Sequence, residues 1–105
     1  MDTAISLPEV TEYATYFDRY VSLVPPGDLF STLATQPVAG LLFGLSEERA
    51  GFRYADGKWT VKEVLGHVID TERIMSYRAL RVGRNDSTDL PGFEQDPFVT
   101  FGGFE

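Results

Sequence analysis

The stretch Trp59-Thr60-Val61-Lys62-Glu63-Val64-Leu65-Gly66-His67-Val68-Ile69-Asp70-Thr71-Glu72-Arg73 decides how this chain folds. Thr60 and Glu63 have the spacing of a capping box, in which a hydroxyl and a carboxylate each satisfy an amide left unpaired at a helix start. Placing residues at about 100° intervals puts Val61, Val64, Leu65, Val68, Met75, Ala79 and Val82 on one broad apolar face that runs to about Gly83. The helix so predicted is roughly 35 Å long, too long for one ordinary partner helix to cover, and a helical bundle is the natural solution.

Two residues interrupt that face. Glu72 falls near the middle of the apolar arc, where a carboxylate needs a partner, and the expectation is a hydrogen-bonded pair with Arg19, Arg49 or Arg53. His67 lies on the flank, close to Thr71, Ile74 and Arg78, with its side chain directed into a groove between helices or held as a structural residue. It is the only histidine, and the chain has no cysteine. A transition-metal centre usually needs three or four nitrogen, sulfur or carboxylate ligands, so His67 cannot build one alone. Glu63, His67 and Asp70 occupy neighbouring turns, but Glu63 and Asp70 fall on the polar side, which reads as a solvated face rather than a preformed metal site.

Outward from this helix, Val10, Tyr13, Tyr16, Phe17, Tyr20 and Val21 recur at helical spacing and predict an amphipathic helix that stops at Pro25-Pro26-Gly27. Asp28 is a candidate N-cap for a second helix carrying Leu29, Leu33, Val38, Leu41, Leu42 and Leu45, with a kink or break near Gln36 imposed by Pro37. Ser46–Ala50 is a further short helical turn, and Asp56-Gly57 marks a tight turn before Trp59. Phe93, Phe98, Phe101 and Phe104 make the segment from Asn85 onward too apolar to stay in water, so it should pack on the protein.

Composition narrows the function classes. With 105 residues, 43% hydrophobic and 13% aromatic, the chain reads as one globular domain over 1–105. A formal charge of −7 disfavours nucleic acid, whose binding depends on Lys and Arg neutralising phosphates. No apolar run is long enough to span a bilayer, and Met1-Asp2-Thr3-Ala4 does not open an export signal, so a soluble, cytoplasmic protein without a membrane partner is expected. The lack of cysteine removes thiol catalysis and fits a reducing compartment. Gly102-Gly103 follows no strand and opens no helix, so it is no phosphate loop, and a Ser-His-Asp set lacks any local signature.

The run Lys58–Arg73, the segment Tyr77-Arg78-Ala79-Leu80-Arg81 and the segment Leu90-Pro91-Gly92-Phe93-Glu94-Gln95-Asp96 resemble the DinB superfamily, and Tyr20-Val21-Ser22-Leu23-Val24-Pro25 fits the same family. The resemblance implies an all-α fold, a DinB-like four-helix bundle with up-down-down-up order. It also implies a divalent metal (Zn, Ni, Fe or Mn) held by one histidine from the second long helix and two from a later His-x-x-x-His helix. His67 matches the first of these ligands. Characterised relatives include thiol-dependent S-transferases and a mycothiol-dependent isomerase, in which the metal would act on a low-molecular-weight thiol.

Against that pattern the sequence ends near where the third bundle helix would begin, so the expectation is a partial domain, truncated before its third long helix and lacking two metal ligands. An apolar face without its partners predicts a homodimer that rebuilds the four-helix core from two chains, and such a dimer would bring two His67 side chains near its axis. The favoured reading is a non-catalytic dimeric helical module with a groove for a small apolar ligand. The alternative is the N-terminal half of a divalent-metal-dependent thiol S-transferase or related hydrolase or isomerase.

Overall fold

The computed structural model describes residues 5–105. The reading of Met1–Ala4 as no export signal lies outside the described residues. Every regular element among those described is helical, and the chain divides into two compact units, Met1–Phe43 and Gly44–Glu105.

In the first unit the amphipathic helix expected through Val10–Val21 does not form continuously. A 3-10 turn at Thr15–Phe17 leads into a single α-helical turn, α1 (Asp18–Val21), and Ala14 just before it is extended, at φ −67° and ψ 141°. Glu12 Oε2 takes the Glu9 amide at 2.7 Å, and the Tyr13 hydroxyl donates to Asp18 Oδ1 at 2.9 Å across the extended residue. The β-branched residues Val10, Thr11 and Thr15 add little helix propensity to offset nucleation, so these local bonds prevail over the 3.6-residue periodicity. Asp28 caps α2 (Leu29–Ala34) as expected, accepting from Phe30 N at 3.3 Å and Ser31 N at 3.2 Å. Proline then breaks the run as predicted: α3 (Val38–Leu42) starts afresh with Pro37 as its N-cap residue.

The second unit is built on the decisive stretch. Ser46 Oγ caps α4 (Glu47–Ala50), which packs through the buried Ala50 against α5 (Val61–Gly83). At the start of α5 both halves of the capping box are made, with Glu63 N donating to Thr60 Oγ1 at 3.1 Å and Thr60 N donating to Glu63 Oε1 at 3.0 Å. Lys62 Nζ reaches Glu47 Oε2 at 2.6 Å, and Val61 N donates to Phe52 O at 3.1 Å, fixing the angle at which the chain enters α5.

The far end of α5 closes with paired bonds. Asp86 N donates to Arg81 O at 3.0 Å and Asn85 N to Val82 O at 2.9 Å, while Asn85 takes the left-handed conformation at φ 56°. This is a Schellman arrangement with asparagine where glycine is usual. Asn85→Ala is expected to cost about 1 kcal/mol of unfolding free energy and Asn85→Gly little or nothing, read from chemical denaturation.

Asp86 completes this end of the helix. Its Oδ2 accepts from Arg81 Nε and its Oδ1 from Thr88 N at 2.9 Å. The Arg81 hydrogen bond, followed by the Thr88 amide, holds the carboxyl down at about 2, against an ordinary 3.8. A depressed acid stabilises the fold above its unfolded value and loses that contribution as pH falls through the folded one. Relative to Asp86→Asn, the wild type should therefore lose helicity at the end of α5 between about pH 4 and pH 2, read by amide exchange.

Beyond α5 the chain does more than connect. Residues 95–102 form α6 (Gln95–Gly102), which the sequence reading did not anticipate. Pro97 sits in its first turn, where a missing N–H costs nothing, and Gly103 ends it at φ 67°. Val99, 4% exposed, faces inward, and α6 packs on α5. The left-handed turn at Gly103 returns Phe104 onto Gly66 of α5 and Gly102 of α6, and a Cβ at either glycine would fall within the Phe104 ring. The expected packing of the terminal phenylalanines is thus uneven: Phe104 and Phe93 are half-buried, whereas Phe98 is exposed and Phe101 is 88% exposed.

The apolar stripe of α5 is largely uncovered. Val64, Val68, Met75, Ala79 and Val82 are exposed, with Val68 at 50% and Val82 at 70%, while Val61 and Leu65 are half-covered. The buried Gly66 and the half-buried His67, Thr71 and Ile74 lie on other sides of α5, where Phe104 rests on Gly66 and Trp59 packs on His67. Among the described residues only Ala50, Gly66 and Val99 are buried, and no large side chain is fully enclosed. None of the described helices is long and apolar enough to cross a membrane.

Candidate functional site

His67 sits two turns into α5 on the flank predicted for it. Its ring packs on Trp59, with centroids 5.0 Å apart at an interplanar angle of 47°. Trp59 is held there because it directly precedes the capping box, so the helix start and the imidazole position are set by one local structure. One turn further on, Thr71 Oγ1 is buried without a hydrogen-bond partner.

Of the carboxylates near His67, one is engaged in the helix cap and one is exposed. Glu63 is spent on the capping box and lies 4.0 Å from the Arg53 guanidinium. Asp70 is half-buried on the adjoining turn. Glu72 is not the buried, arginine-paired carboxylate that its place on the helical wheel suggests. It is exposed, and its Oε1 accepts from Ser76 Oγ at 3.4 Å. Of the expected partners, Arg53 donates to Lys58 O at 3.3 Å and Arg19 lies over the Tyr16 ring at 4.5 Å. The reason is that the stripe around Glu72 is uncovered, so its charge stays hydrated and no ion pair is required.

Among the described residues, no three His, Cys, Asp or Glu side chains converge in a way that could hold a metal ion. Glu63, His67 and Asp70, tested as a set, do not converge on a cation position, and the Glu63 carboxylate is held in the capping box. His67 offers at most one ligand from this chain.

Further along the same flank, about two to three turns beyond His67, α5, the segment before α6 and Phe98 of α6 line an open groove of about 380 Å3. Its walls are apolar and aromatic, from Ile74, Tyr77, Leu90, Phe93 and Phe98, with Arg73 and Arg78 also lining it. Phe93 and Phe98 stack with centroids 5.1 Å apart. Arg78 Nη2 donates to Pro91 O at 3.1 Å, and its guanidinium lies 6.0 Å from the Phe93 ring centre, which ties the loop down on the helix. Sequence reasoning placed Ile74 and Arg78 beside His67 at a groove between helices, but did not foresee the wall that Leu90, Pro91, Phe93 and Phe98 supply. The available signal was Leu90-Pro91-Gly92-Phe93, an apolar turn too short to pack except against the helix it follows.

A family model described as the DinB superfamily matches residues 32–101. The match extends on both sides of the 58–96 stretch that carries the sequence resemblance, and it does not include 20–25. No curated protein and no solved structure matches the chain. The matched two thirds contain the capping box, His67 with its Trp59 stack and the aromatic groove, all on the helix whose reading decided the fold, and the chain belongs to the DinB superfamily.

Proposed function

We propose that this chain is a DinB-superfamily helical module that is not catalytic on its own residues and works as a homodimer, two copies joining through the apolar stripe of α5. The observation that carries the reading is that stripe: Val64, Val68, Met75 and Val82 recur at helical spacing yet stand exposed on a helix of 23 residues. An apolar strip of this kind is a contact surface rather than a solvated face. The same strip on a second copy is self-complementary under a twofold axis.

The position of His67 favours a second reading, the N-terminal half of a divalent-metal-dependent thiol S-transferase or related hydrolase or isomerase. The imidazole lies within the family match, one turn from the unpartnered Thr71 hydroxyl. The remaining ligands for Zn, Ni, Fe or Mn would then come from outside the described residues.

One assay is able to overturn the first reading. Purified protein, supplied with a low-molecular-weight thiol, an electrophilic acceptor and each of these metals in turn, is expected to turn over no faster than His67→Ala. Turnover that His67→Ala abolishes would contradict the first reading and establish the second.

A further inference from the structure

We infer that Asp56-Gly57 is a modification site, where the chain isomerises from aspartate to isoaspartate without an enzyme. The two residues form the middle of a tight turn, in which Lys58 N donates to Ala55 O at 3.2 Å and Gly57 takes φ 75°. Asp56 does not share the positive φ, so the turn is type II, whose third position favours glycine. The closing bond belongs to the fourth residue, and the Gly57 N–H donates to no backbone carbonyl among the described residues. Both residues are exposed, and a Cβ built on Gly57 would meet nothing within 4 Å. An unshielded amide nitrogen directly after a carboxyl side chain is the arrangement that closes to a cyclic imide.

In that step the Gly57 nitrogen bonds to Asp56 Cγ, and its proton leaves with the carboxyl hydroxyl as water. Water then adds back at either imide carbonyl. Opening at Cγ restores aspartate. Opening at the α-carbonyl leaves the main chain running through Cβ and Cγ with a free α-carboxylate, an isomer of the same mass. The fold singles out this aspartate among those described. Asp86-Ser87 also pairs aspartate with a small residue, but Arg81 Nε and Thr88 N hold its carboxylate. Asp28 is held in the cap of α2 by Phe30 N and Ser31 N, and Asp96 precedes Pro97, which has no N–H. Asp70 lies inside α5, whose ladder fixes the following amide. The Asp56 carboxylate takes part in none of these bonds and in no ion pair among the described residues.

The test holds the full chain in neutral buffer at body temperature for weeks and then digests it. Electron-transfer fragmentation reads isoaspartate at each aspartate, because it cleaves the Cα–Cβ bond of that isomer. Position 56 is expected to carry at least about tenfold more isoaspartate than position 86, where charge-assisted bonds must break before the ring closes. Methyl transfer from a labelled sulfonium donor by an isoaspartyl carboxyl methyltransferase should rise in step with it. Asp56→Glu, a change at an exposed position, lengthens the side chain past the favoured ring and should abolish most of the label while leaving the fold intact. Isoaspartate at 56 no higher than at 86, or label that survives in Asp56→Glu, would overturn the assignment.

Discussion

Gly66→Ala is expected to destabilise the 44–105 unit by about 1 kcal/mol, although alanine is the better helix former by about 0.5–1 kcal/mol. A Cβ at position 66 would occupy the space of the Phe104 ring down to its Cγ, so the whole ring must leave rather than tilt at its tip. Removing a half-buried phenylalanine from its contact forfeits on the order of 2 kcal/mol, which outweighs the propensity gain. The sign should therefore reverse in a Phe104→Ala background. There the slot is vacant, and Gly66→Ala should stabilise by about 0.5–1 kcal/mol. A double-mutant cycle in denaturant is thus expected to give a coupling near 2 kcal/mol between residues 38 positions apart in the chain. Additive effects would mean that Phe104 does not rest on α5.

The second large effect concerns the uncovered stripe. Val68→Asp should leave the folding of the single chain within about 0.5 kcal/mol of wild type, because the side chain is half-exposed there. In the dimer the same carboxylate would be buried without a partner in each copy. The dissociation constant is then expected to rise at least about a hundredfold, since an unpaired buried charge costs several kcal/mol. Equilibrium light scattering across a dilution series reads the dissociation constant, and chemical denaturation reads the folding free energy, each against wild type. A variant that associates as tightly as wild type would move the contact off α5.

What could be read from the sequence was what the backbone settles locally. Thr60 and Glu63, Asp28, and the break before Val38 all act within four residues, and each of these capping residues takes the role its spacing assigns. The end of α5 near Gly83 was legible in position, but the left-handed Asn85 that closes it was not. The first helix was misjudged where periodicity was the only signal: Ala14 is extended, and side-chain bonds from Glu12 and Tyr13 take over what a helix ladder would supply. The end of the chain was misjudged for the opposite reason. Proline in a first turn and glycine at a terminus announce α6, but the contact that gives Gly66 and Gly103 their purpose is tertiary and has no spacing rule.

The candidate site divides in the same way. The flank position of His67 follows from the helical wheel, whereas its stack on Trp59 and the groove roofed by Phe93 and Phe98 depend on how the later segment folds back. Glu72 shows the limit of the wheel itself, which gives the face a residue occupies but not whether anything covers that face.

Sedimentation velocity from sub-micromolar to high-micromolar protein tests the central claim most directly, that the apolar stripe of α5 is a surface for a second copy. The account predicts a concentration-dependent shift to twice the mass of the single chain, lost in Val68→Asp. A single folded species at the mass of one chain throughout that range, unchanged by the substitution, would contradict it.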